Sequence, residues 1–198
     1  LKGCTSSEPA PVLRGTEVTT KILVAGHLSA GKTTLIGSVS QIRPVTTEET
    51  MTSAGADVDR TDLPGKTKTT VAMDFGRLHL NDNLVLYLFG APGQPRFFPI
   101  LQDLAHGALG VLLLADTRRL DDTYPILELI EDLGLPYAVA INRFDGAPEP
   151  TADRLREVMR LEATTPVVTC DARDRSSCRD ALIALITHLL TLTPEPSR

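Results

Sequence analysis

No apolar run in the chain approaches the roughly 20 residues of a membrane-spanning helix, and no stretch repeats another. Basic residues are not in excess: Lys and Arg number 20 against 25 Asp and Glu, for a formal net charge of -5 and a pI near 5.4. A nucleic-acid footprint or a polybasic membrane patch needs concentrated cations, so neither is expected. The three cysteines, Cys4, Cys170 and Cys178, neither pair evenly nor show metal-ligand spacing, which points to a reduced, cytoplasmic setting. His27, His79, His106 and His188 are scattered, so no histidine metal site is expected. The segment Thr193 to Arg198 carries no prenylation cysteine, and any recruitment to a membrane would fall to a partner.

What is present is an ordinary globular composition, 42% hydrophobic and 23% charged over 198 residues, long enough for one domain with a real core. Residues 1–18 are polar, contain proline and lack periodicity, so they read as a flexible arm before a domain at 19–192 and a flexible tail at 193–198. Buried-strand patterns occur at Lys21 to Ala25, Val111 to Ala115, Tyr137 to Ile141 and Pro166 to Cys170. Thr70 to Leu80 and Leu84 to Phe89, split by Asn81-Asp82-Asn83, read as a hairpin. Helices are expected from Lys32 to about Ile42, from Arg96 to His106, after an Asp121 or Asp122 cap to Leu133, after a Thr151 cap to Arg160, and after a Ser176 or Ser177 cap to the end of the domain. Pro44 to Thr69 has no clean period and reads as a long loop, which inside a compact domain is usually functional. The order gives an α/β fold: a doubly wound, mostly parallel sheet with one antiparallel hairpin strand.

The organising stretch is Gly26-His27-Leu28-Ser29-Ala30-Gly31-Lys32-Thr33, which fits G-x-x-x-x-G-K-[ST] between a strand and a helix. A glycine loop there aims backbone N–H groups and a helix N-terminus at one point, where a polyphosphate belongs. The phosphate-binding set is Gly26, His27, Ser29, Ala30 and Gly31, with Lys32 as a point charge and Thr34 beside Thr33, whose hydroxyl is the candidate Mg²⁺ ligand.

Asn142-Arg143-Phe144-Asp145 resembles the N-K-x-D guanine motif of Ras-like small GTPases, with Arg143 in the lysine place. The Asp145 carboxylate could accept from the ring N–H and exocyclic amine of guanine, a donor pair that adenine lacks. Asn142 could bridge the base edge and the P-loop, and the stem of Arg143 could lie over the base. Asp171-Ala172-Arg173 is similar to the S-A-K element, by which the Ala172 N–H would donate to the guanine oxygen. Thr70, with Thr69 as its rival, resembles the first-switch threonine that caps Mg²⁺ and the γ phosphate. Ala91-Pro92-Gly93-Gln94 resembles the second switch, where the Gly93 N–H would meet the γ phosphate and Gln94 would orient water. Gly90 stands where an aspartate is expected, implying a lost carboxylate and weaker Mg²⁺ dependence, and Pro95 restricts Gln94 to extended geometry.

A proline-containing second switch without that aspartate resembles two bacterial groups, the gliding-polarity MglA type and, more closely, the conservon type of GTPase. Thr46 to Thr52, Thr70 to Arg77 and Val167 to Asp174 carry the second likeness. The resemblance implies GTP and GDP with Mg²⁺ as cofactors, slow hydrolysis by Lys32, Thr70 and Gln94, and signalling with a roadblock-fold protein and a sensor kinase. Two other readings stay open: a nucleotide-binding scaffold with little turnover, favoured by Gly90 and Pro95, and a P-loop phosphotransferase. Arg60 and Arg96 are the candidates in cis for an arginine finger. Tyr87, Phe89, Phe97 and Phe98 read as packing residues.

Overall fold

A computed structural model describes residues 17–50 and 70–192, without side chains at 46–50 and 70–72. The elements run β1 (Val18–Ala25), α1 (Lys32–Val39), β2 (Val45–Thr50), β3 (Thr70–Asn81), β4 (Leu84–Gly90), α2 (Phe98–Ala105), β5 (Ala108–Ala115), α3 (Tyr124–Asp132), β6 (Tyr137–Asn142), α4 (Ala152–Val158), β7 (Val167–Cys170) and α5 (Arg175–Leu192). The seven strands form one sheet in the order β2-β3-β4-β1-β5-β6-β7. β3 alone runs against the rest, antiparallel to both β2 and β4. The expected sheet, parallel apart from one hairpin strand, is the one observed.

Alternation along the central strands divides the core between the two faces. On one face Ile22 and Val24 of β1 pack with Leu112 and Leu114 of β5, Leu35 and Ile36 of α1, and Leu182 and Leu185 of α5. On the other, Leu23 and Ala25 pack with Val111 and Leu113, Leu101 of α2, Ile126 and Ile130 of α3, and Leu155 of α4. Helices on both faces explain why β1 and β5 end in uninterrupted apolar runs and why β6 is apolar up to Asn142. Among the described residues no helix is long and apolar enough to cross a membrane.

Several boundaries differ from the sequence expectation. β2 occupies the first residues of the stretch read as a loop, pairing Val45 with Phe75 through Thr50 with Thr70. A sheet-edge strand is held through its backbone and needs no apolar period; residues 51–69, the rest of the sensing-loop expectation, lie outside the described residues. α1 stops at Val39 because the chain turns onto the edge of β3. Ser40 Oγ accepts from the Arg77 N–H at 3.2 Å, the Gln41 N–H donates to Arg77 O at 2.7 Å, and Gln41 Oε1 accepts from the His79 N–H at 2.8 Å. Asp121 and Asp122 sit inside a short 3-10 turn before α3 and do not cap it. Thr151 does cap α4, but α5 is capped by Asp174, whose Oδ2 accepts from the Ser177 N–H at 2.8 Å, in place of Ser176 or Ser177. The arm and tail expected at the two ends fall almost wholly outside the described residues.

Candidate functional site

The P-loop joins the carboxyl end of central strand β1 to α1, beside the point where the chain crosses from β4 to β5 on either side of β1. Gly31 takes φ 106°, and a Cβ there would run into the Asn142 amide, so this turn admits only glycine. Ser29 adopts φ 67° without being glycine, local strain of the kind found at ligand clamps. Lys32 Nζ donates to Gly26 O and His27 O, both at 2.8 Å, which holds the ammonium against the loop. Burial lowers its pKa to about 8, and the Asp74 carboxylate offsets part of that shift.

Thr33 Oγ1 donates to Asp74 Oδ2 at 2.5 Å. Asp74, only 6% exposed, lies on β3 directly across the ladder from Gly90. A methyl group at Gly90 would stand 3.0 Å from Asp74 Cβ and 3.1 Å from Asp74 Oδ2. The carboxylate expected from β4 is therefore supplied by the neighbouring strand, and glycine leaves the space it fills. This corrects the expectation that Gly90 deprives the site of a charge. Asp74 was legible in one respect: it shares strand parity with buried Gly76 and Leu78, and a carboxylate on the inward face of a strand needs a reason.

The second-switch segment closes onto the P-loop. A Cβ at Gly93 would lie 2.5 Å from the His27 carbonyl carbon and 2.7 Å from the Leu28 nitrogen, so only glycine can pass. Gln94, at φ -98° and ψ 138°, is extended as the following Pro95 requires. Lys32, Thr33, Thr34, Asp74, Gly93 and Gln94 line one cleft of about 460 Å³ with Leu28 and Phe97 at its wall. The Thr70 side chain and all of Thr69 and Arg60 lie outside the described residues.

On the base side, buried Asn142 donates from Nδ2 to Ala30 O at 2.9 Å and accepts at Oδ1 from the Ala172 N–H at 3.0 Å. The contact with the P-loop half of the expected bridge is present. The Ala172 N–H, which the resemblance directs at a base oxygen, here donates to Asn142 Oδ1. Ser38 Oγ of α1 also donates to Ala172 O at 2.6 Å, tying this loop to the P-loop helix. Asp145 is exposed, with Arg173 nitrogens 3.4 Å from its Oδ1. Arg173 grips Asp171 through two 2.9 Å bonds and holds that carboxyl down to about 2. Arg143 is exposed and 3.7 Å from Glu149. Besides Asp74, sequence reasoning missed Asp116, a buried carboxylate at the end of β5 chelated by Arg118; two adjacent arginines after an apolar strand gave no sign of which would turn inward.

Among the described residues no group of three or more His, Cys, Asp and Glu side chains stands together. A hydroxyl and a carboxylate, Thr33 and Asp74, are nonetheless hard oxygen donors of the kind that, with phosphate oxygens, hold Mg²⁺. The residues present fit that ion.

The whole resembles known G domains in fold. The G domain of the T. maritima FeoB iron transporter superposes with a TM-score of 0.61 at 18% identity, covering 86% of this chain and 99% of that one. The FeoB G domain of Methanococcus jannaschii gives 0.57 at 14% identity, over 87% and 98%. An S. thermophilus NFeoB point mutant bound to GDP gives 0.61 at 20% identity, over 90% of this chain but 66% of that longer one. No curated protein matches the sequence. The family model described as conserved hypothetical ATP binding protein matches residues 24–192, well over half of the sequence, and the chain belongs to that family.

Proposed function

We propose that the protein binds guanine nucleotides and hydrolyses GTP slowly to GDP and phosphate, serving as a switch. The observation that supports this reading is Asn142, which joins the phosphate loop at Ala30 to the loop at Ala172; Asp145, in the same motif, would then face the base. A carboxylate there favours guanine over adenine, since adenine would leave it desolvated and unpaired. A structural relative of S. thermophilus is bound to GDP, while the family description names ATP; the base-side carboxylate supports the first for this chain.

Lys32 would neutralise β and γ phosphate oxygens, the Gly93 N–H would meet the terminal phosphate, and Gln94 would hold the attacking water. Mg²⁺, held by Thr33 and Asp74 with Thr70 in the GTP state, would supply charge neutralisation of the polyphosphate when bound. Switching would consist of ordering Thr70 and the Gly93 to Arg96 segment in the presence of the γ phosphate. By resemblance to conservon GTPases, the partners would be a roadblock-fold protein and a sensor kinase, in the cytoplasm. A nucleotide-binding scaffold is the second reading, favoured by the extended Gln94 ahead of Pro95.

Single-turnover hydrolysis tests it. Slow conversion of GTP but not ATP, lost in Gln94→Ala, is expected; tight GTP retention without conversion would replace the switch with the scaffold.

A further inference from the structure

Asp116, at the carboxyl end of β5, is 1% exposed and lies between the two loops of the nucleotide site. Toward the base loop it is chelated by Arg118, whose Nε stands 2.9 Å from Oδ1 and whose Nη2 stands 2.7 Å from Oδ2; the Arg118 backbone N–H also donates to Oδ1 at 2.9 Å. The guanidinium so fixed lies 3.7 Å from the centre of the Phe144 ring, stacked on the residue immediately before Asp145. Toward the phosphate loop, buried His27 has Nε2 without a hydrogen bond, 3.9 Å from Asp116 Oδ2, while its Nδ1 stands 2.6 Å from Leu28 O. Burial alone would push the Asp116 carboxyl up, but the Arg118 hydrogen bonds bring it below the usual range, so the pair is ionised at neutral pH.

Between β6 and α4 the backbone of the base loop is tied by the Arg143 N–H to Cys170 O and by the Thr117 hydroxyl to Pro148 O, both at 2.7 Å, and neither bond orients the Asp145 side chain. Asn142 anchors its first residue, but the side chains of Arg143 and Asp145 are exposed and meet Glu149 and Arg173 across 3.4 to 3.7 Å. Exposed pairs of that kind fix a loop weakly. A planar guanidinium locked at both carboxylate oxygens is by contrast a rigid shelf, and the Phe144 face stacks on it.

We infer that Arg118, held by Asp116, is a positioning residue that sets where Asp145 meets the base, and so determines base specificity from a strand that contributes nothing to the recognised motifs. This rests on the guanine reading above. It makes specificity separable from phosphate binding: the shelf bears on Asp145, while Lys32 and the P-loop keep their own contacts.

The test is competition of GDP and of IDP, which lacks the exocyclic amine, against a fluorescent GDP analogue. In the wild-type chain, loss of one charge-assisted hydrogen bond to Asp145 should weaken IDP roughly tenfold or more relative to GDP. Arg118→Ala should shrink that ratio to a few-fold, with IDP affinity itself nearly unchanged. Arg118→Lys should behave like Arg118→Ala, because lysine offers neither the fork nor the plane. Phe144→Leu should shrink the ratio while leaving the Asp116–Arg118 pair intact. An unchanged GDP to IDP ratio in the variants, or an equal loss for both ligands, would overturn the inference. A wild-type chain that binds IDP as well as GDP would instead defeat the guanine reading itself, before any variant is made.

Discussion

Asp74 and Gly90 face each other across one rung of the β3–β4 ladder, and the site depends on which of them carries the carboxylate. If Asp74 holds the metal with Thr33, chelating Mg²⁺ should speed GDP release from the wild-type chain. Asp74→Ala should release GDP roughly ten- to a hundredfold faster in Mg²⁺, the worth of a charge-assisted bond, and should be indifferent to chelator. Moving the charge back, in Asp74→Ala combined with Gly90→Asp, should restore chelator sensitivity; release kinetics that ignore position 74 would remove Asp74 from the metal site. Lys32 gives a second prediction at this scale. Only its protonated form attracts polyphosphate, and burial holds the free protein's value to about 8. Affinity should be flat below that pH and fall above it, by up to about tenfold per unit, because the nucleotide must then bring a proton onto the lysine. Lys32→Met should bind weakly with no such slope, measured by GDP titration between pH 7 and 10. The P-loop residues were legible in the sequence because every fixed position has its own steric or electrostatic reason. Asp74 showed only its inward strand parity; its pairing with Thr33 was hidden, because the two lie 41 residues apart and only strand register brings them together.

Among the elements, the strands with both faces covered were the easiest to read: β5 from Gly110 to Ala115 and β6 from Tyr137 to Ile141 are buried on both sides and carry uninterrupted nonpolar runs. β2 was hidden because edge pairing leaves no mark in side-chain period, and the end of α1 was hidden because Ser40 and Gln41 are drawn to β3 by hydrogen bonds no local pattern encodes. The motif residues at the ends of β6 and β7 come together, and the Ala172 N–H also has a partner within the protein, Asn142 Oδ1, that the motif does not announce. A motif states which residues gather; it does not state which of their bonds are internal. Because Asn142 satisfies two buried backbone groups on separate elements, Asn142→Ala should cost about 2–4 kcal/mol. In a chain of this size that lowers the melting temperature by roughly 5–15 °C, readable by calorimetry. A loss near zero would mean the P-loop and base loop are held together elsewhere.

For the whole molecule, the fold is that of G domains, and the motifs sit at the carboxyl ends of the strands around the central one. Phosphate loop and base loop are tied by Asn142 and by Ser38, so the two ends of a nucleotide would be read by one rigid body. On the proposed reading nothing in the phosphate half would distinguish GTP from ATP, and the choice would fall to Asp145 at the base end of the site. That is where the family description and the side-chain chemistry part. The deciding measurement is equilibrium competition of GDP, GTP, ADP and ATP for the same site on the full chain. The account requires guanine nucleotides to bind at least about a hundredfold tighter, the penalty for leaving a desolvated carboxylate unpaired. Adenine nucleotides binding equally well or better would contradict it.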